Sequence, residues 1–331
     1  MLFDYNSYNY FNKIIYKFAF IIFIFYFLII ITYIADHNEE NMFEIFLRNK
    51  TEYYYIERKK YLRSLDINYK ESNLVTFGDK LNYLLIHESP EYKSNIVDKI
   101  KLSEYSKKVL GKDICIPILK IYNNTDEINL NELPNQFVLK CNHGSGWNIF
   151  CIDKNNFDLQ ETKNSLNKWM NTNYGILGKE FQYYFIKKKI FASPYFENII
   201  DYKAFCFNGK PRLISAKIPI NITTKQYIYN YYDINWNLTD IEYGRNCYKR
   251  DPNFIIEKPK NFNLILNYAT KLSAEFVFVR IDFYEIKGKL YLGELTFTPG
   301  NNNIPFKDKS QRIYLGNLLN IKKIKPYLFN N

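Results

Sequence analysis

Hydrophobic and polar residues alternate most regularly between positions 277 and 297, and this alternation predicts a β-hairpin. In the first strand the hydrophobic face consists of Val277, Val279, Ile281 and Phe283. The other face consists of Phe278, Arg280, Asp282 and Tyr284. A second alternating run follows Gly288, and one of its faces consists of Leu290, Leu292, Glu294 and Thr296. The first strand is therefore predicted to carry Arg280 and Asp282 side by side on one face.

The length of the hairpin loop decides which residues face each other across the two strands. A two-residue loop at 287–288 sets Asp282 opposite Gly293 and turns Glu294 to the other face. A three-residue loop at 287–289 sets Asp282 opposite Glu294 instead, because a slip of one residue reverses every side chain. A metal site on this hairpin requires the three-residue loop.

Two carboxylates that face each other repel unless a cation or a proton lies between them. In the second register Asp282 and Glu294 form such a pair, and Arg280 lies opposite Thr296. Mg²⁺ suits the pair, because it accepts one or two carboxylates and takes its other oxygens from water and substrate phosphates. The alternative is an ordinary amphipathic hairpin with a solvated charged face.

Residues 136–152 predict two strands joined by a turn that contains glycine. The first strand delivers Lys140 at its end. The turn consists of Asn142, His143, Gly144, Ser145 and Gly146. Glycines let backbone amides approach an anion closely, and a lysine neutralises phosphate oxygens. The turn lacks the ending and the following helix of a P-loop, so a simple hairpin turn is the alternative to a phosphate loop.

A second hairpin is predicted around a strong turn at residues 208–211. Residues 201–207 form its first strand and residues 212–217 the returning strand. Asp201 and Lys203 share one face of the first strand, and a surface ion pair is the alternative to a functional role for them.

The remaining elements are mostly predicted to be helical. Residues 44–110 are charged, with few turn signals, and predict several helices that end near Gly111. Helices are also predicted at 164–171 and 262–276, and the hydrophobic run at 114–122 contains a proline, which indicates an edge strand.

Residues 18–35 form a hydrophobic run without a charged residue. At about 1.5 Å per residue it makes a helix of roughly 27 Å, close to the apolar thickness of a bilayer. The run predicts a transmembrane helix, since no polar stripe marks it as a core helix and no cleavage site follows it. Translation from Met42 would give a chain without this helix.

Composition narrows the class of protein. The chain has 331 residues, of which 47% are hydrophobic, and it carries a net charge of +11. The length and the hydrophobic content are typical of a folded protein with two or more subdomains or a single large α/β unit. Lysine and arginine are spread along the chain and no nucleic-acid-binding motif is present, so no nucleic-acid partner is expected. Five cysteines without a CxxC pair and three histidines argue against a disulfide framework or a zinc site.

Four segments carry a resemblance to a known family. They are VDKIKLSEY at 97–105, FVLKCNHGSG at 137–146, DYKAFCFNGKP at 201–211 and FVRIDFYEIKGKLYLGELTFTPG at 278–300. In this order they resemble the TupA-like ATP-grasp family of teichuronopeptide and surface-polysaccharide biosynthesis. The resemblance implies an α+β, ATP-grasp-like fold in which two α+β subdomains sandwich a nucleotide, here with an N-terminal membrane helix.

The resemblance also implies boundaries. Residues 1–41 would form the N-terminal segment with the transmembrane helix, and residues 42–130 a mainly helical region. Residues 131–195 would form the small ATP-grasp subdomain and residues 196–331 the large subdomain with the metal hairpin.

The resemblance further implies roles for individual residues. Those expected to bind ATP are Lys140, His143, Gly144, Ser145, Gly146 and Asp201. Those expected to hold Mg²⁺ are Asp282, Glu294 and Thr296, the last of which stands where many ATP-grasp sites carry asparagine. Arg280 and Lys203 are expected to be catalytic, with Arg280 stabilising the charge that develops on an acyl phosphate.

The implied function is that of an ATP-dependent carboxylate–amine ligase in cell-surface polysaccharide or teichuronopeptide biosynthesis. Its substrates would be an amine and a small-molecule or glycan carboxylate. The N-terminal helix would anchor it to the membrane with the catalytic domain on the cytoplasmic side, where ATP is available. A glycosyltransferase of capsule or lipopolysaccharide synthesis and a degenerate, non-catalytic ATP-grasp module are the alternatives.

Overall fold

The computed structural model describes residues 56–57, 60–61, 74–88, 90–197, 199–221, 226–244, 248–254 and 256–323. The chain divides into two compact units, residues 1–60 and 61–331. In the first unit, Lys60 and Glu57 form an ion pair at 2.8 Å. Among the described residues, no helix combines the length and hydrophobicity needed to cross a bilayer. The predicted transmembrane segment at 18–35 lies outside the described residues.

The helices and strands of the second unit follow each other along the chain. In order they are α1 (Phe77–His87), α2 (Pro90–Val97), α3 (Leu102–Leu110), β1 (Lys120–Tyr122), β2 (Phe137–Cys141), β3 (Asn148–Cys151), α4 (Leu159–Asn171), α5 (Tyr174–Leu177), β4 (Ile190–Pro194), β5 (Asp201–Phe207), β6 (Lys210–Asn221), β7 (Gln226–Tyr232), β8 (Tyr248–Lys249), α6 (Phe262–Ser273), β9 (Phe278–Ile286), β10 (Lys289–Thr296) and α7 (Lys309–Leu318). The predicted helical end near Gly111 is confirmed, because this glycine caps α3 in a left-handed conformation with φ 72°.

The strands form two sheets. The small sheet has four antiparallel strands in the order β1-β4-β2-β3. The large sheet has six strands in the order β10-β9-β5-β6-β7-β8, and only the β7–β8 pair is parallel. The chain passes from the small sheet to the large sheet between β4 and β5. Two antiparallel sheets with helices confirm the predicted α+β class.

Each sheet has its own hydrophobic core. On one face of the large sheet, helix α6 packs through Ile265 and Leu272 against strands that include β9. On the other face, α1 and α7 cover the ends of β5 and β9 that carry Phe205 and Phe278. In the small sheet, Leu166 of α4 belongs to the core cluster formed with β2 and β4.

The face of the large sheet that packs against α1 and α7 is hydrophobic along one half of its strands and charged along the other half. On β5 the buried Phe205 follows Lys203, and on β9 the buried Phe278 precedes Arg280. The register pairs Lys203 with Asp282 across these two strands. Helices α1 and α7 pack on the hydrophobic half of this face, whereas the charged half is available for a functional site.

The β9–β10 hairpin reaches the expected pairing by a different route. Its loop has the two residues Lys287 and Gly288, both with positive φ, and is therefore the shorter of the two loops that the sequence left open. A β-bulge between Leu292 and Glu294 then adds one residue to the returning strand. This extra residue places Glu294 opposite Asp282, as a metal site on the hairpin requires.

The bulge also corrects the predicted faces of β10. Leu290, Leu292 and Leu295 all pack in the core beneath helix α6. The spacing of these buried residues changes from two to three at the bulge. Glu294 consequently lies on the charged face and does not share a face with Leu290 and Leu292. The extra residue is Gly293, where a Cβ would lie 2.4 Å from Cε2 of Tyr284.

We predict that Gly293→Ala destabilises the protein by about 1–3 kcal/mol, because the new methyl group must displace the Tyr284 ring. Urea unfolding of the parent, of Gly293→Ala, of Tyr284→Leu and of the double variant measures this contact as a coupling energy. In the Tyr284→Leu background, which lacks the ring, Gly293→Ala should lower the free energy of unfolding much less than in the parent. An equal decrease in both backgrounds would show that the ring is not the reason for glycine at this bulge.

Candidate functional site

A cleft of roughly 460 Å³ lies between the two sheets. The small sheet and its turn contribute Lys140, Ser145, Gly146, Asn148 and Ser193. The large sheet contributes Asp201, Lys203, Lys217, Arg280, Asp282 and Glu294. Its volume lies within the range of about 300–1,000 Å³ that is typical of ligand pockets. The topology therefore brings most of the predicted site residues to one place.

Asp282 is the most enclosed charge of the cleft, with 1% of its side chain exposed. Its Oδ1 accepts a hydrogen bond from Nε of Arg280 at 2.6 Å. Its Oδ2 accepts from Nη2 of Arg280 at 2.7 Å and from Nζ of Lys203 at 2.5 Å. Burial raises the pKa of Asp282, but the two cations and their hydrogen bonds outweigh burial and bring that pKa to about 2. Asp282 is therefore a fixed anion.

A cation does lie between the two opposed carboxylates, and it belongs to the chain itself. Nη2 of Arg280 also donates to Oε1 of Glu294 and to Oγ1 of Thr296, both at 3.0 Å. The Thr296 hydroxyl donates to Oε1 of Glu294 at 3.3 Å and does not line the cleft. The structure thus places Thr296 where it orients Arg280 and Glu294.

The carboxylates differ in how open they are to a metal ion. Both oxygens of Asp282 are already bonded, whereas Glu294 is 24% exposed and its Oε2 lies 3.9 Å from Nζ of Lys99. No group of three or more histidine, cysteine or acidic side chains suited to a metal occurs among the described residues. Glu294 is therefore the more accessible ligand, and a Mg²⁺ ion here must take most of its oxygens from phosphate and water.

Asp201 and Lys203 form a buried pair, so the surface ion pair considered as their alternative is wrong. Nζ of Lys203 lies 2.6 Å from Oδ2 of Asp201 as well as contacting Asp282. Burial lowers the pKa of Lys203, but the two aspartates raise it above its usual value. Asp201 keeps a free acceptor, because its Oδ1 is buried without a hydrogen-bond partner among the described residues, and Oγ of Ser193 is in the same state.

Lys140 lies on the opposite wall of the cleft and is half-buried. Burial, together with the positive charge of Lys99, lowers its pKa to about 8, and Glu294 opposes this change. The side chain of Lys140 forms no hydrogen bond or ion pair within the described part of the chain. Ser145 and Gly146 line the cleft beside it. An uncompensated lysine next to a glycine turn is an arrangement that attracts an anion.

His143 and Gly144 belong to this turn but do not line the cleft. His143 is 1% exposed, and its Nε2 lies 3.1 Å from the carbonyl oxygen of Trp169. A Cβ on Gly144 would lie 2.5 Å from the ring of Trp147, and its carbonyl oxygen accepts a hydrogen bond from Lys99 at 2.6 Å. The positions of these two residues support the shape of the turn and offer no direct contact with a ligand in the cleft.

Two lysines that sequence reasoning missed complete the site. Lys99 lies in the first of the four family-like segments but was not singled out there. Lys217 ends the predicted returning strand of the second hairpin, and its Nζ lies 3.6 Å from Oδ2 of Asp201. A bulge after Phe205 shifts the register so that Lys217 faces Asp201, and the sequence alone gave no signal for this bulge.

The charges of the cleft do not balance. Its cationic side chains are Lys99, Lys140, Lys203, Lys217 and Arg280, and its acidic ones are Asp201, Asp282 and Glu294. The site has a formal excess of two positive charges. Such a cleft attracts a polyanion and disfavours a free metal ion that arrives alone.

Comparison with known proteins identifies one family. A model of the family described as TupA-like ATPgrasp matches residues 79–320. No curated protein matches the chain.

The solved structures that match the chain resemble it only distantly. The D-alanine–D-alanine ligase from Bacillus anthracis complexed with ATP is 15% identical, with 61% of this chain and 55% of that chain covered and a TM-score of 0.38. The biotin carboxylase from Campylobacter jejuni is 11% identical, with 76% and 53% covered and a TM-score of 0.42. The D-alanyl-alanine synthetase A from Vibrio cholerae is 15% identical, with 69% and 65% covered and a TM-score of 0.41. The chain thus spans little more than half the length of the first of these structures.

We predict that His143 makes stability depend on pH between about 6.5 and 4. Burial lowers the pKa of His143 to about 4, so in this window the unfolded chain binds a proton that the folded chain does not. The free energy of unfolding should fall as the pH falls through the window, by about 3 kcal/mol more in the parent than in His143→Gln.

Urea unfolding at several pH values measures this difference. Parallel curves for the parent and His143→Gln would contradict the assignment of a buried neutral imidazole.

Proposed function

The chain belongs to the TupA-like ATP-grasp family, and from this premise we propose that it is an ATP-dependent carboxylate–amine ligase that uses Mg²⁺. The observation that carries the proposal is the arrangement of Arg280 between Asp282 and Glu294, at the wall of a cleft that has an excess of positive charge. In such a ligase the carboxylate takes the terminal phosphoryl group of ATP, ADP leaves, and the amine then displaces phosphate from the acyl phosphate with loss of a proton.

The residues of the cleft fit a nucleotide. Lys140 and the backbone of Ser145 and Gly146 present positive charge and amide groups to phosphate oxygens. Oδ1 of Asp201 and Oγ of Ser193 are buried without hydrogen-bond partners among the described residues, so they have hydrogen-bonding capacity left for the hydroxyl or amino groups of a ligand. We propose that the triphosphate neutralises the excess positive charge of the cleft.

The residues also fit Mg²⁺ that enters with the nucleotide. Glu294 would be its first protein ligand, with Asp282 behind it. When bound, the ion would neutralise phosphate oxygens during transfer of the phosphoryl group. Because Arg280 and Lys203 already occupy both oxygens of Asp282, a free metal ion has little to gain from this site before phosphate arrives.

Arg280 and Lys203 would act on the reacting groups. Asp282 holds both cations in fixed positions through hydrogen bonds of 2.5–2.7 Å. Cations that are already oriented stabilise developing negative charge without reorganisation during the reaction. Thr296 would help to orient the Arg280 guanidinium by accepting a hydrogen bond from its Nη2.

We propose further that the ligase acts in cell-surface polysaccharide or teichuronopeptide assembly. This part of the proposal rests on the family resemblance. The anchor proposed for residues 18–35 rests on their hydrophobicity. It would hold the catalytic domain on the cytoplasmic side of the membrane, because ATP is available there.

We predict that a non-hydrolysable ATP analogue binds the full chain saturably in the presence of Mg²⁺, and that Mg²⁺ alone binds weakly because of the positive cleft. Glu294→Gln should lose most of the effect of Mg²⁺ on analogue binding. Glu285→Gln, on the same hairpin but away from the cleft, is the matched control. Calorimetric titration with the analogue, with and without Mg²⁺, measures the affinity of the parent and of both variants. If binding to Glu294→Gln depended on Mg²⁺ as fully as binding to the parent, Glu294 would not be a ligand of the metal ion. A folded chain that binds no analogue would favour a non-catalytic module.

We predict that affinity for the ATP analogue decreases above about pH 8, the pKa of Lys140 in the free protein. Above this pH the lysine loses its proton, so the dissociation constant should rise by roughly tenfold per pH unit until the pKa of the bound state is reached. Lys140→Arg should bind with little change across the same range, because a guanidinium stays charged. Lys140→Ala should bind weakly at every pH. A parent profile that matches Lys140→Arg would show that Lys140 does not contact the nucleotide.

A further inference from the structure

Glu180 is a buried carboxyl group that does not line the cleft. It lies just before a helical turn at Phe181–Tyr183, and 5% of the residue is exposed. It forms no ion pair within the part of the chain that the structure describes. A buried carboxyl group without a cationic partner is costly unless its oxygens are hydrogen-bonded. The hydrogen bonds of Glu180 therefore explain how this group is kept inside the protein.

Both oxygens of Glu180 accept hydrogen bonds from uncharged groups. Oε1 accepts from the hydroxyl of Tyr174 at 2.8 Å, and Oε2 accepts from the hydroxyl of Thr298 at 2.5 Å. The Thr298 oxygen itself accepts from Nε2 of Gln182 at 2.8 Å, which leaves its own proton for Glu180. Burial raises the pKa of Glu180, and the two hydroxyl groups oppose this change. The carboxyl group is therefore a fixed acceptor between two hydroxyl groups.

The side-chain amide of Asn301 is a third donor to Glu180. In the orientation that satisfies both its oxygen and its nitrogen, the nitrogen donates to Oε1 of Glu180 at 3.2 Å and to the carbonyl oxygen of Gly178 at 3.1 Å. Asn301 has a φ of 54°, and a residue with a side chain persists in this left-handed region where the surrounding structure enforces it. These contacts help to hold the segment that follows β10.

Tyr174 connects Glu180 to the glycine turn at residues 142–146. The Tyr174 hydroxyl also interacts by a hydrogen bond with the side chain of Ser145, which lines the cleft. The Tyr174 ring packs edge-on against the ring of Trp147, with 5.1 Å between the ring centres. Trp147 directly follows the turn. Tyr174 therefore contacts the turn and the residue that follows it at two separate positions.

Thr298 connects Glu180 to the β9–β10 hairpin. It follows the end of β10 by two residues, and β10 carries Glu294, which lines the cleft. The turn of the small sheet and the hairpin of the large sheet are thus joined through the carboxyl group of Glu180. Because Glu180 does not line the cleft, a ligand that fills the cleft leaves this connection intact.

We propose that Glu180 is a positioning residue of the ligase, which holds the glycine turn at a fixed separation from the β9–β10 hairpin. The proposal rests on the ligase function proposed above, in which the turn binds phosphate and Glu294 binds Mg²⁺. Mg²⁺ demands near-ideal octahedral geometry, so phosphate on the turn and Glu294 on the hairpin can share one ion only at a fixed separation. A small displacement of the turn would separate the two halves of the metal site.

Calorimetric titration of the full chain with the non-hydrolysable ATP analogue tests the proposal. Tyr174→Phe removes the hydroxyl group that joins Glu180 to the turn and keeps the ring that packs against Trp147. Its affinity for the analogue should fall by roughly tenfold or more with Mg²⁺ and by less than about threefold without Mg²⁺. Tyr268→Phe is the matched control, because this buried tyrosine of α6 does not line the cleft, and it should bind as the parent does.

Two substitutions at Glu180 separate its position from its charge. Glu180→Gln keeps an oxygen that accepts from Tyr174 and Asn301 and places an amide group against Thr298, so its affinity for the analogue should stay within about threefold of that of the parent. Glu180→Ala removes both connections and should lose at least as much affinity with Mg²⁺ as Tyr174→Phe does. Urea unfolding verifies that each variant is folded, and Tyr174→Phe carries the test if Glu180→Ala does not fold.

Hydrogen exchange of the backbone amides at 142–147 measures the connection without a ligand. In the free protein these amides should exchange faster in Tyr174→Phe and Glu180→Ala than in the parent, because a turn that is less firmly held opens more often. Glu180→Gln and Tyr268→Phe should match the parent.

Three results would overturn the proposal while the ligase function stands. The first is an unchanged affinity of Tyr174→Phe with Mg²⁺, and the second is an equal loss with and without Mg²⁺. The third is a Glu180→Gln variant that binds as weakly as Glu180→Ala, which would show that the charge of the carboxylate matters and not its position. Failure of the parent to bind the analogue would contradict the ligase function itself, and hydrogen exchange would still report on the connection through Glu180. The two failures are therefore distinguishable.

Discussion

The guanidinium of Arg280, held between Asp282 and Glu294, is the interaction on which the arrangement of this site depends. Asp282 is almost fully enclosed, and an enclosed carboxylate is tolerated only when its charge is matched and its oxygens are bonded. Arg280 and Lys203 supply both, so each cation is oriented before any ligand is present. A site that stabilises negative charge in a reaction needs such orientation, and here the same contacts keep a buried anion stable.

Two hairpins of the large sheet create this arrangement by the same device. In each hairpin a tight two-residue turn joins the strands, at Asn208-Gly209 in one and at Lys287-Gly288 in the other. In each, the returning strand contains one extra residue that forms a bulge. The extra residue brings Lys217 opposite Asp201 in one hairpin and Glu294 opposite Asp282 in the other. Without the bulges both side chains would lie on the hydrophobic face, because neighbouring residues of a strand point to opposite faces.

The charges are also divided in space. The acidic residues line the cleft, whereas Lys203, Lys217 and Arg280 line both the cleft and a smaller cavity beside it. The hydrophobic half of the same sheet face is covered by α1 and α7, and Asn302 ties the mouth of the cavity to α1. The packing of α1 therefore supports the backbone around Gly300 at the edge of this cavity.

Local patterns in the sequence determined the faces of β5 and β9, the helix that ends at Gly111, the tight turn at residues 208–211 and the family resemblance. Each of these depends on residues close together in the chain. Alternation alone also indicated that Arg280 and Asp282 share a face. Only the tertiary structure decided which residues surround them. The bulge at Gly293 depends on where the Tyr284 ring lies, and Lys99 and Lys217 approach the site from other elements. His143 is removed from the cleft by Trp147 and Trp169, which belong to the turn and to α4. Register shifts and contacts between distant elements follow from the packing of whole side chains, which periodicity along a single strand does not contain.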